Sequence, residues 1–262
     1  MRMYVEFMKK AYRQHAVYRV QYYMGLLNAI LTIFIGAAIW KAVYGDNQIF
    51  NGITQKEMIT YSVFGMIMRS MLSMNEFILD HKVRSGEIAA DLLKPVRFLF
   101  YLFSIVLGET LYNFKTRVLP VVIVAFLAFR MVVPQDKWYI PLFILSLALS
   151  YLVLYCFNLI LWLAVFWIHQ SWSIVTIKNS IILICSGAMV PLWFMPKGMS
   201  DFLSWLPFKD IYYTPLKIYL GKATFSEVWS LYASQGVWIV ILLAIALFVW
   251  KKAQNKLVIQ GG

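Results

Sequence analysis

Apolar residues fall in long runs along this chain, and charged residues sit between the runs. A run of about 20 apolar residues is long enough to cross the hydrocarbon layer as a helix. Crossings are expected at 21–40, 57–79, 114–133, 138–168, 174–194 and 228–250. Residues 1–20 are not a span, because Arg2, Lys9, Lys10, Arg13 and Arg19 interrupt them. There Tyr4, Phe7, Met8, Ala11, Tyr12 and Tyr18 recur at spacings of three and four. That pattern predicts a helix over 1–20 lying in the membrane surface. The alternative is a short solvated tail.

Residues 98–134 are too long for one perpendicular crossing. About 37 residues make a helix of about 55 Å, against about 30 Å of hydrocarbon. Glu109, Lys115 and Arg117 all come before 118, while 118–129 carries no charge. The expectation is an interfacial or partly inserted helix over 98–113, with the third span after it. Turns are expected at Gly45-Asp46-Asn47, Asn51-Gly52, Pro134-Gln135-Asp136-Lys137 and His169-Gln170-Ser171-Trp172. Segment 196–222 is broken by Pro207 and Pro215, and its pieces, 199–206 and 208–220, are too short to cross.

Composition agrees with the pattern. The 262 residues are 61% hydrophobic and 14% charged, where a soluble domain carries about a quarter charged residues; mean hydropathy is +0.70. The net charge of +12 raises nucleic acid as a partner, but the cations cluster at the ends of apolar runs, as orientation signals do. No nucleic-acid partner is therefore expected; membrane lipids are. Cations of the N-terminal segment, of 80–97 and of the C-terminal tail put both termini and that loop in the cytoplasm. Lys197, Lys209, Lys217 and Lys222, which would face outward, argue the other way. No cleavable signal peptide is expected. Cys156 and Cys185 lie inside apolar runs and imply neither a disulfide nor a metal framework.

No GxxxxGK[S/T] phosphate loop is present, so ATP is not bound here by that route. No acid falls in the middle of an expected span, which speaks against an ion-coupled carrier. His15, His81 and His169 are far apart and read as polar residues near span ends, so no metal site is expected. Arg69 is singled out in the second span. It either contacts an anionic substrate or headgroup, or pairs with a polar group at a subunit interface. Asn158 in the fourth span reads as interhelical glue, with a substrate contact as the other reading.

The loop from Val83 to Pro95 is the most informative stretch. Gly86 and Pro95 punctuate it, Ile88, Leu92 and Pro95 recur at helical spacing, and Glu87 and Asp91 share another face. A short amphipathic helix over 83–95 can dock in a groove of a soluble partner; it can equally be a solvated connection.

Arg84-Ser85-Gly86-Glu87, followed by Leu92-Leu93-Lys94-Pro95-Val96, resembles the cytoplasmic loop of the ABC-2 type transporter permeases. Pro191-Leu192-Trp193-Phe194-Met195-Pro196, Leu206-Pro207-Phe208, Tyr213-Thr214-Pro215 and Gly221 resemble the proline- and aromatic-rich segment that follows the fifth span in that family. The resemblance covers nearly the whole chain and is greatest to bacterial members of about this length without a fused ATPase domain. It implies an all-α polytopic protein, a single permease domain over 1–262, in the bacterial cytoplasmic membrane. It implies pairing with a second permease, identical or related, and with two ABC ATPase subunits. ATP and Mg would be held by the ATPase, with no cofactor and no catalysis on this chain. Residues 83–95 become the coupling helix, with Arg84, Gly86, Glu87, Asp91, Leu93 and Lys94 carrying the contact. Residues 196–222 become an external re-entrant segment, with Pro196, Pro207 and Pro215 at an outer gate. The cargo of such an exporter is a drug, peptide, lipid or glycan. The competing classes are a secondary carrier, which often shows matching halves, and a membrane-embedded lipid-modifying enzyme, which needs grouped acids or histidines. Neither feature is found.

Overall fold

The structure is a computed structural model that describes residues 2–15, 19–50, 52–134, 136–168 and 171–260. Most of it is helical. It divides into two compact units, one formed by Met1–Met74 and Lys94–Val133, the other by Asn75–Leu93 and Pro134–Gly262.

In the first unit, α1 (Arg2–His15) lies along α6 (Phe98–Asn113). The expected stripe is the packed face. Phe7 stands edge-on to Tyr101 at 4.8 Å and Tyr12 to Tyr112 at 5.5 Å. Ala11 is buried, while Lys9, Lys10 and Arg13 face out. The helices touch at Gly108, where a Cβ would lie 2.3 Å from the Met8 carbonyl oxygen. Tyr18, the last residue of the stripe, lies outside the described residues.

Helix α2 (Arg19–Tyr44) leads to a hairpin of β1 (Ile49–Phe50) and β2 (Ile53–Thr54), in register Ile49↔Thr54 and Phe50↔Ile53. A reciprocal capping box between Thr54 and Glu57 then starts α3 (Gln55–Met71). Helix α3 is buried on most sides, against α2 and α7 (Leu119–Phe129). Gly36 makes room for the Met66 thioether, since a Cβ there would lie 2.6 Å from its sulfur. Phe64 meets Phe126, and Phe34 meets Phe129.

Two boundaries differ from the sequence expectation. The second span, expected over 57–79, ends its helix at Met71. The Asn75 side chain accepts the Phe77 N–H at 3.1 Å, and this local bond competes with continuing the helix. The expected junction near 114 is not a break. Helix runs on from Phe98 to Phe129 through a π turn at Phe114–Val118. Pro120 brings no N–H and crowds the preceding turn, and the wider turn just before it relieves both defects.

In the second unit, α8 (Tyr139–Ala164) packs against α12 (Phe225–Gln260). Buried Gln235 on α12 ties them, donating to the Ser146 carbonyl at 3.1 Å and to the Ser150 hydroxyl at 3.0 Å. Helix α9 (Ser171–Cys185) is shorter than the expected fifth span over 174–194. Gly187 turns the chain at φ +74°, and the rest of that run is irregular apart from a 3-10 turn at Leu192–Phe194.

By length and apolar character, four stretches of the described residues are able to cross a membrane: Tyr23–Tyr44, Phe98–Phe129, Tyr139–Ala164 and Phe225–Lys256. Helices α3, of 17 residues, and α9, of 15, fall short of that length.

Candidate functional site

The loop singled out from sequence folds as an elbow of two helices, α4 (Ile78–Arg84) and α5 (Glu87–Leu92). This corrects the single helix expected over 83–95. Gly86 stands between them at φ +77°, a left-handed conformation that glycine adopts freely. Two ion pairs brace the elbow. Arg84 Nε donates to Asp80 one turn earlier at 2.9 Å, and the Lys82 ammonium meets Asp91 at 2.5 Å. Glu87 and Asp91, expected on one charged face, part company: Glu87 is exposed and Asp91 is buried. The expected stripe of Ile88, Leu92 and Pro95 also divides. Ile88 turns inward, and Leu92 and Pro95 stay outside. Leu93 projects outward, 86% exposed. Arg84 and Glu87 of the same elbow are exposed as well. Lys94 is anchored in the first unit, where its ammonium donates to the Tyr101 hydroxyl at 2.8 Å and lies 4.3 Å from that ring's centre.

Immediately before the elbow, Glu76 receives a charged partner that the sequence reading missed. The Lys178 ammonium of α9 donates to the Glu76 carboxylate and, at 3.1 Å, to Asn158 of α8. Trp162 Nε1 donates to the Glu76 carbonyl at 3.1 Å, and the Ser171 hydroxyl to Asp80 at 2.5 Å. Two side chains and one backbone carbonyl thus attach the start of the elbow to α8 and α9. The cleft beside this cluster has room for about 10 Å³, roughly one water. Asn158 is buried here and serves as interhelical glue. The overlooked signal was Lys178 as the lone charge of the run 174–194, together with Glu76 in the second run.

Arg69 stands near the end of its helix. It lies exposed in the last turn of α3, because that helix ends at Met71. A cation is favourable there, against the negative end of the helix dipole.

Segment 196–222 forms α10 (Lys197–Ser204), a 3-10 turn at Pro207–Asp210 and α11 (Tyr213–Tyr219). Pro196 caps α10, Pro207 opens the 3-10 turn and Pro215 lies in the first turn of α11. Prolines fit helix starts, where no N–H is needed. Asp210 pins the segment. Its fully buried carboxylate accepts from Thr214 at 2.8 Å and Ser234 at 2.7 Å. Its carbonyl accepts from Ser150 and Gln235. Burial raises its pKa above the ordinary value, against the lowering by the Ser234 hydroxyl, Lys209 and the Thr214 hydroxyl.

Among the described residues, no three His, Cys, Asp or Glu side chains gather as a metal site. His169 lies outside the described residues and His81 is exposed. The geometry attaches the elbow to α8 and α9 through Glu76 and Asp80. A family model described as ABC-2 family transporter protein matches residues 26–261. A search of curated proteins returned no match.

Proposed function

The chain belongs to the ABC-2 transporter family, and from that premise we propose that it is the permease subunit of an ATP-driven exporter. It is a multi-pass membrane protein and a transport component, not itself a catalyst. Two such permeases, identical or related, would stand with two ABC ATPase subunits that hold ATP and Mg. The observation that carries this reading is the braced elbow with its free Leu93. A lever has to be stiff and present a foot that fits a groove. Arg84, Gly86, Glu87 and Leu93 form the foot and the turn; Asp91 and Lys94 hold it in place.

The reading takes α2, α3, α6–α7, α8, α9 and α12 as six crossings. Helix α3 rises about 26 Å and α9 about 22 Å, close to the hydrocarbon thickness of about 30 Å, and non-helical chain completes each. Irregular backbone at membrane depth is tolerated where protein buries it. Six crossings put both termini and the elbow on the cytoplasmic side of a bacterial inner membrane, in line with the cations there. The segment 196–222, with Pro196, Pro207 and Pro215, then caps the outer end of the pathway. The cargo would be a drug, peptide, lipid or glycan.

The test is co-purification of the tagged chain from native membranes. Leu93→Ala and Glu87→Ala should lose the ATPase and transport while the chain stays folded in the membrane. Unchanged ATPase retention and transport would remove the elbow from the mechanism.

A further inference from the structure

Arg117 lies in the π turn Phe114–Val118, within the apolar helix Phe98–Phe129. Its guanidinium is pressed onto the backbone of α2 at Gly25. A Cβ at that position would lie 2.5 Å from Nη2, 2.6 Å from Cζ and 2.8 Å from Nε, so any larger residue would push the guanidinium aside. Nε is buried and, among the described residues, has no hydrogen-bond partner. Among the described residues no carboxylate pairs with this side chain. A buried donor on a charged group is costly without an acceptor, and a charge inside a span is normally held by a partner.

The depth of the site narrows the partner. Gly25 stands two residues into the apolar stretch Tyr23–Tyr44. From Gly25 to Tyr44 the helix rises about 29 Å, the thickness of the hydrocarbon layer. With Tyr44 at one boundary, Gly25 is at the other. Exposed Tyr23 beside it is of the residue type that occupies such boundaries. Helices α2 and α7 run in the same direction, since Gly25 meets Arg117 and, further along, Phe34 meets Phe129. Lys115, exposed in the same turn, adds a second cation at this level.

We propose that Arg117, seated on Gly25, binds the phosphate of an anionic phospholipid headgroup. A guanidinium offers paired N–H donors that match two phosphate oxygens, and lipid phosphates lie at this depth of the bilayer. The site does not rest on the exporter reading.

The test uses the full chain, purified in mild non-ionic detergent and offered equal amounts of phosphatidylglycerol and phosphatidylcholine. Bound lipid is counted by native mass spectrometry. The wild type should prefer phosphatidylglycerol by about tenfold, because the choline cation of phosphatidylcholine offsets its phosphate charge and repels the guanidinium and Lys115. Arg117→Gln should abolish the preference. Gly25→Ala should do the same with the charge intact, by displacing the guanidinium. Lys137→Gln, which removes an exposed cation elsewhere, should keep it. A wild type without the preference overturns the proposal, as does its persistence in both Arg117→Gln and Gly25→Ala. Displacement of the lipid by equimolar inorganic phosphate would overturn the lipid assignment in favour of a small-anion site. If one variant does not fold, the other and the wild type still decide.

Discussion

Replacing Glu76 with Gln should destabilise the protein more than replacing Lys178 with Met, although the two side chains face each other. The asymmetry follows from exposure: the Lys178 side chain is 3% exposed and that of Glu76 26%. Without the acid, the ammonium stays enclosed between α8 and α9 with the Asn158 amide oxygen as its acceptor, at 3.1 Å. A buried charge left without its counter-ion costs about 3–5 kcal/mol. Without the lysine, the carboxylate keeps a quarter of its surface open and can be hydrated. The loss is then that of an interhelical bond, about 0.6–2 kcal/mol. Met also fills the volume of the lysine stem. The double replacement removes both charges and should cost no more than Lys178→Met alone. The assay is a double-mutant cycle on the full chain in detergent, unfolded by increasing the mole fraction of dodecyl sulfate. Tryptophan fluorescence is a suitable readout, because Trp162 donates to the Glu76 carbonyl. Equal costs for the two single variants, or an additive double variant, would refute the argument.

Three further outcomes follow from the geometry. Gly108→Ala places a methyl 2.3 Å from the Met8 carbonyl, so α1 should be pushed off α6 at a cost of about 1–3 kcal/mol. Limited trypsin digestion should then cut sooner after Lys9, Lys10 or Arg13; an unchanged rate would show that the helices have slack. Asp91→Ala should lower the melting temperature, because it removes the Lys82 brace of the elbow, whereas Leu93→Ala should change stability by no more than about 0.5 kcal/mol. Equal melting shifts would mean that Asp91 is not a brace. The buried Asp210 has a raised pKa. A carboxyl raised on folding contributes stability that is full below its ordinary value and is lost as pH rises through the raised one. The melting temperature of Asp210→Asn minus that of wild type should therefore grow as pH rises above the ordinary aspartate value of about 4. A flat difference would contradict it.

The sequence alone determined that this is a helical membrane protein and where its apolar runs lie, because burying about 20 residues in lipid demands an apolar run that any reader can see. It also marked the apolar face of α1, since Phe7, Met8, Ala11 and Tyr12 repeat at the period of a helix, while the packing of that face on α6 came from the structure. The elbow was legible as a segment through Gly86 and Pro95, but its orientation was not. A periodicity shows that Ile88 and Asp91 lie on a helix, and it cannot show that Lys82 waits to bury Asp91. The break after Met71 and the π turn at Phe114–Val118 depend on bonds and clashes within a single turn, which hydropathy averages away. The pair Lys178–Glu76 depends on residues about 100 positions apart meeting across helices. Only the tertiary structure decided which charges are buried, because that depends on which faces of the helices meet.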